Sequence, residues 1–97
     1  MTLHTLNKTP HESNALQDCL AALSDGDALL LIENGVYCAM PAHAELFTRL
    51  PGGVQCYLLQ ADVQARGLND LNPEFRGIDY DDFVTLSCRY EKVVSWF

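Results

Sequence analysis

Four cysteines, three histidines and a short run of acids are the side chains of this chain that could do chemistry. A thiol acts as its thiolate, either attacking or carrying sulfur, and two thiols spaced C-x-x-C would suggest redox exchange or zinc. Here Cys19, Cys38, Cys56 and Cys88 all lie more than four residues apart, so neither motif exists. In a reducing compartment all four are expected to be free. His4, His11 and His43 share no i, i+4 spacing, which removes the simplest histidine-based metal site. No metal and no cofactor is therefore expected. Asp79, Asp81 and Asp82 are close enough for paired-carboxylate acid/base work, but acids opening a helix ordinarily cap it and face water. No G-x-S-x-G, P-loop or G-x-G-x-x-G string is present.

The thiols differ in where the chain puts them. Cys19 shares a helical stripe with Leu16, Leu20 and Leu23, where a free cysteine is a small core hydrophobe. It also sits late in its helix, where the macrodipole does nothing to favour a thiolate. Cys56 falls in a strand and Cys88 in the last helix, both structural by position. Cys38 follows a strand that ends at Ile32, and ligands of open α/β sheets collect beyond the carboxyl ends of strands. That makes Cys38 a second, weaker candidate, although Val36 to Met40 is apolar enough to be packing.

The elements that position these groups read in order. Leu3 to Leu6 is a short strand. Thr9 as N-cap, Pro10 at the first helical position and Glu12 three residues after the cap start a helix, which ends at Ser24-Asp25-Gly26. The unbroken apolar run Ala28 to Ile32 suits a strand covered on both faces in a parallel sheet. Asn34-Gly35 is the dipeptide of a hairpin, but Val36 to Ala42 has no alternating partner pattern. Ala44 to Leu50 reads as a helical turn or two, Val54 to Leu59 as a strand and Ala61 to Ala65 as a short helix. Asn69 to Gly77, polar and containing Pro73, is expected to be a loop with a lid or interface role. Ile78 to Tyr80 is a brief strand, Asp81 and Asp82 open a helix bearing Phe83, Leu86 and Tyr90, and Val93 to Phe97 is a terminal strand. Strands alternating with helices predict one α/β domain over 1–97, a small three-layer sandwich with a mainly parallel sheet of about five strands.

Charge narrows the partners. Six basic against thirteen acidic residues leave a net charge of −7 on 97 residues, and the basic residues form no cluster. Direct nucleic-acid binding is not expected. The N-terminus lacks a signal-peptide pattern and the longest strongly apolar run is far shorter than a membrane span, so a cytoplasmic protein without membrane contact is expected. A chain this short gains from association, and Trp96 and Phe97, two large aromatics on a terminal strand, are the candidate interface residues.

Four strings carry a family resemblance: Leu3-His4-Thr5-Leu6-Asn7-Lys8-Thr9-Pro10, Asp27 to Val36, Asp62-Val63-Gln64-Ala65-Arg66-Gly67, and Ile78 to Leu86. In this order, and with the C-terminal Trp96, the chain resembles the TusB/DsrH family over nearly its whole length. The resemblance implies a DsrEFH-like α/β fold and a place in a sulfur-relay complex. It implies TusC-like and TusD-like partners in a heterohexamer of two copies of each subunit. Such a complex passes persulfide sulfur from a TusA-like donor to a TusE-like acceptor, for 2-thiouridine at the tRNA wobble position. The persulfide-carrying cysteine of that relay belongs to the TusD-type subunit, so this chain is expected to be a non-catalytic subunit. Asn7 to Pro10 followed by Cys19-Leu20 is similar to the DsrH branch, which implies two alternatives. One is a DsrH-type subunit of a DsrEFH complex in dissimilatory sulfur oxidation. The other is a thiol sulfurtransferase acting through Cys19, with Lys8 and His11 the only nearby groups to activate it.

Overall fold

Ala28 to Leu31 has no polar face because neither of its faces meets water: all four side chains are fully buried. In the computed structural model, which describes residues 1–97, this strand is the middle one of five. The strands are β1 (Thr2–Leu6), β2 (Ala28–Leu31), β3 (Gln55–Leu59), β4 (Phe75–Ile78) and β5 (Lys92–Trp96). The α-helices are α1 (Ala15–Ala22), α2 (Gln60–Ala65) and α3 (Tyr80–Arg89), and 3-10 segments cover Glu33–Ala39 and Pro41–Phe47. The sheet order is β4-β3-β2-β1-β5 and every pairing is parallel, so the expected parallel α/β architecture is the observed one.

Parallel neighbours need crossovers, and right-handed crossovers running one way along a sheet pack on one face. The steps from β1 to β4 all run in that one direction. Their helices bury Leu16, Cys19, Val36, Cys38, Phe47 and Val63 against Leu6, Leu29, Leu31, Cys56, Leu58 and Phe75. The last step returns across the whole sheet, so α3 alone lies on the opposite face, with Leu86 on Leu3, Ala28, Leu30 and Ile78. The two helical layers are thus unequal.

Two expectations need correction. The box at Thr9 and Glu12 forms, with the Thr9 N–H donating to Glu12 Oε1 at 2.7 Å and the Glu12 N–H to Thr9 Oγ1 at 3.2 Å. The helix nevertheless begins only at Ala15. Ser13 Oγ takes the Ala15 N–H at 3.1 Å, a local side-chain bond that competes with the helical ladder, and the box closes a single turn. Second, the polar stretch Asn69 to Gly77 is not loop throughout. Phe75, Arg76 and Gly77 belong to β4, because Phe75 buries its ring edge-to-face on Phe47, centroids 4.9 Å apart, a partner distant in sequence. Asn34-Gly35 makes no hairpin, as the missing alternation indicated, and opens the first 3-10 segment instead.

At α3 the acids do what helix-opening acids do. Asp79 Oδ1 accepts the Asp82 N–H at 2.8 Å, and the Asp79 N–H donates to Asp82 Oδ2 at 3.3 Å, a reciprocal cap.

Candidate functional site

Beyond the carboxyl ends of β1, β2 and β3, three of the four family-like strings meet. Glu33 takes a left-handed φ of 49° as the chain leaves β2, and its N–H donates to Asp62 Oδ2 at 2.7 Å. Arg66, one turn after Asp62 on α2, donates from Nε to Asn34 Oδ1 at 3.1 Å and pairs with Asp62 at 3.7 Å. Asn7, at the end of β1, reaches Glu33 with its amide at 3.5 Å, and its Oδ1 is buried without a partner. Gly35 admits no side chain, since a Cβ there would collide with the Leu6 carbonyl. The Ile32 N–H donates to that same carbonyl at 3.0 Å. These groups clasp three strand ends together, and none is a nucleophile.

The thiols lie outside this clasp. Cys38, in the first 3-10 segment, donates its thiol to the Lys8 carbonyl at 3.5 Å and is fully buried. Its position past the strand ends matches the expectation for it, but burial pushes its thiol up to about 12, with Glu12 adding to the shift. Cys19 is also fully buried. Burial foremost, then Cys38 and Asp27, push it likewise to about 12. Cys56 rises to about 11, again through burial. Near neutral pH all three are closed-in, protonated thiols, and a protonated thiol is a poor nucleophile. Cys88 alone is exposed.

One polar constellation went unread in the sequence. His4, on β1, and Asp27, just ahead of β2, are both buried and meet at 3.0 Å through His4 Nε2 and Asp27 Oδ2. On the other side of the ring, Trp96 Nε1 lies 3.0 Å from His4 Nδ1. An indole N–H can only donate, so Nδ1 accepts and the ring proton sits on Nε2, pointing at Asp27. Burial pushes the Asp27 carboxyl up, but the N–H groups of Thr2 at 2.9 Å and Ser24 at 3.0 Å, together with His4, outweigh it and hold it below its ordinary value. Indole and imidazole also stack, 18° from parallel with centroids 6.1 Å apart. Nothing in the spacing of residues 4, 27 and 96 signals this contact, which exists only because β1 pairs with both β2 and β5.

The remaining candidates are separate. His11 and His43 come together edge-to-face at 5.6 Å, a meeting that the i, i+4 test could not see, and no three His, Cys, Asp or Glu side chains gather as a ligand set. Trp96 is half-buried on His4 while Phe97 is 67% exposed, so the two terminal aromatics play different parts. No helix is long and apolar enough to cross a membrane.

The chain is similar to known proteins over nearly its whole length. Residues 8–93 match the family described as DsrH like protein. Protein TusB of Pectobacterium parmentieri is 32% identical over 95 residues, covering 97% of this chain and 99% of the relative. Protein TusB of Escherichia coli O1:K1 is 35% identical over 99 residues with the same coverage. Among solved structures, protein Tm0979 of Thermotoga maritima superposes with a TM-score of 0.63 at 25% identity over 94% of this chain and 95% of that one. The ychN protein of E. coli gives 0.73 at 15% identity, covering 97% of each chain, and shares the fold.

Proposed function

The chain belongs to the family of DsrH-like proteins, and on that premise we propose that it works as a subunit of a sulfur-relay complex. The observation that carries this reading is the end-to-end similarity to TusB proteins, 32% and 35% identical over 97% of the chain. In its finer form, the chain joins TusC-like and TusD-like subunits in a cytoplasmic heterohexamer. That complex moves persulfide sulfur from a TusA-like donor to a TusE-like acceptor for 2-thiouridine at the tRNA wobble position. Within it this chain is a structural subunit and another subunit carries the sulfur. The burial of Cys19, Cys38 and Cys56 supports that division of labour, because persulfide transfer needs an accessible thiolate. The clasp of Asn7, Glu33, Asp62 and Arg66 holds the rim of the sheet rigid, which suits a subunit that presents a surface.

Co-expression with TusC-like and TusD-like proteins tests the reading. The chain is expected to co-purify in a defined complex, and a chain that stays apart from both overturns it. The DsrH-type alternative, in sulfur oxidation, is favoured by Cys19 in the first helix. Mass spectrometry of the assembled complex after exposure to a persulfidated donor separates the two roles for that thiol. The structural-subunit reading expects no +32 Da adduct on Cys19; an adduct there makes Cys19 a sulfur carrier.

A further inference from the structure

α3 is the only helix on its face of the five-stranded sheet, and it leaves the β3 and β4 side of that face partly open: Tyr57 is half-buried and Arg76 exposed. These two are register partners on β3 and β4, and Arg76 shares the face of Ile78 by the two-residue alternation of a strand. Opposite them, Asp82, Leu86 and Arg89 form one stripe of α3 at four- and three-residue spacing. Together they line a cleft of about 120 Å³ whose apolar floor is Ile78 and Leu86. The cations of this cleft are unpaired. Thirteen acids outnumber six bases in the chain, and Arg66 finds one of those acids in Asp62. Arg76 and Arg89 do not: neither guanidinium pairs with a carboxylate or donates a hydrogen bond within the chain. Asp82, the one acid of the lining, accepts the Asp79 N–H at Oδ2 and leaves Oδ1 free.

We propose that this cleft, lined by the unpaired Arg76 and Arg89 with Tyr57 and Asp82, is a binding site for inorganic hydrogenphosphate. Each guanidinium offers a planar fork of N–H donors that matches two oxygens of an oxyanion, and charge-assisted bonds of this kind are the strong ones. Two forks and the Tyr57 hydroxyl supply more donors than the two oxygens of a carboxylate use, which suits a tetrahedral anion. Asp82 selects among such anions. A carboxylate facing a bare oxyanion sets lone pair against lone pair, whereas hydrogenphosphate keeps an O–H at neutral pH and donates it to the free Oδ1. Sulfate has no such proton. A phosphate monoester, with a second pKa of about 6, has lost its own by about pH 7.5. Two cations serve a single small anion, and on a chain of net charge −7 they do not make the basic surface that a polynucleotide needs.

An NMR titration of the nitrogen-labelled full chain with inorganic phosphate, at about pH 7.5 and constant ionic strength, tests this. The expected result is saturable shifts of the Arg76 and Arg89 Nε–H signals and of the Tyr57 amide, with sulfate and glycerol phosphate several-fold weaker. Arg76→Gln and Arg89→Gln, both at exposed positions, are each expected to abolish saturation while keeping the folded spectrum. Arg49→Gln, outside the cleft, is expected to bind phosphate as the wild type does. Asp82→Asn keeps an oxygen for the Asp79 N–H and is expected to bring sulfate level with phosphate. A wild-type chain without saturable shifts at Arg76 and Arg89 overturns the proposal, as does phosphate binding that survives in either cleft arginine variant. Sulfate or glycerol phosphate that matches phosphate in the wild type overturns the assignment to hydrogenphosphate. The measurement uses this chain alone, so either outcome leaves the sulfur-relay reading where it stands.

Discussion

At the scale of single residues the thiols and the buried acid behave in opposite ways for one reason. Burial penalises charge, and only Asp27 has the donors to offset it. Cys19 and Cys56 lack such partners, the one backbone donor at Cys38 does not offset its burial, and all three stay protonated. A maleimide offered to the native protein at pH 8 is therefore expected to label Cys88 rapidly. The other three should label only in denaturant, read by intact-mass spectrometry, and fast labelling of Cys19 would contradict its enclosure. For Asp27 the sign is fixed by a folded-state value below the ordinary 3.8. Its contribution to stability is complete above the ordinary value and is lost as pH falls from there through the lowered folded-state value. Urea midpoints are expected to drop as pH falls below about 4. Asp27→Asn should flatten that drop and cost about 1–3 kcal/mol at pH 7, the range for disturbing a buried hydrogen-bonded group. The side-chain chemistry of these residues was open to inspection in the sequence. Their surroundings were not, since Asp27 meets His4, and His4 meets Trp96, through strand pairing rather than through spacing.

At the scale of elements, local signals succeeded where the partner was local. Asp79 and Asp82 cap α3 as acids at a helix start should, and Asp79→Ala is expected to lower the unfolding free energy by about 1 kcal/mol by denaturant titration. The same kind of signal at Thr9 and Glu12 produced its hydrogen bonds but only one turn, because Ser13 diverts the next N–H. β4 was hidden for the converse reason: little in Pro73 to Gly77 favours a strand until Phe47 and the β3 edge are beside it. Gly35 is the joint of the clasp, its Cα against the carbonyl of Leu6. Gly35→Ala should cost about 1–3 kcal/mol as an overpacking change, with the loss appearing as faster hydrogen exchange in the 33–39 segment. An exchange rate unchanged from wild type would mean that the turn does not depend on that close approach.

At the scale of the whole molecule the acidity sets what the chain meets. With a net charge of −7 and six basic residues scattered along it, the chain alone is expected to leave tRNA unshifted in a gel at about 0.15 M salt, where phosphate affinity depends on clustered cations. A shift under those conditions would overturn the view that tRNA contact belongs to another component. By itself the sequence determined the parallel α/β class and nearly all the elements, because periodicity, apolar runs and caps are local properties that survive without a fold, and the resemblance of four strings to a known family pointed to the family. What only the tertiary structure decided is which groups meet. It decided that three of the four thiols are enclosed, that three family-like strings form one clasp, and that Trp96 turns inward to His4 while Phe97 faces out. The physical reason is that strand order and register, 4-3-2-1-5 and parallel throughout, place residues tens of positions apart within a hydrogen bond of one another, and no spacing along the chain encodes that distance.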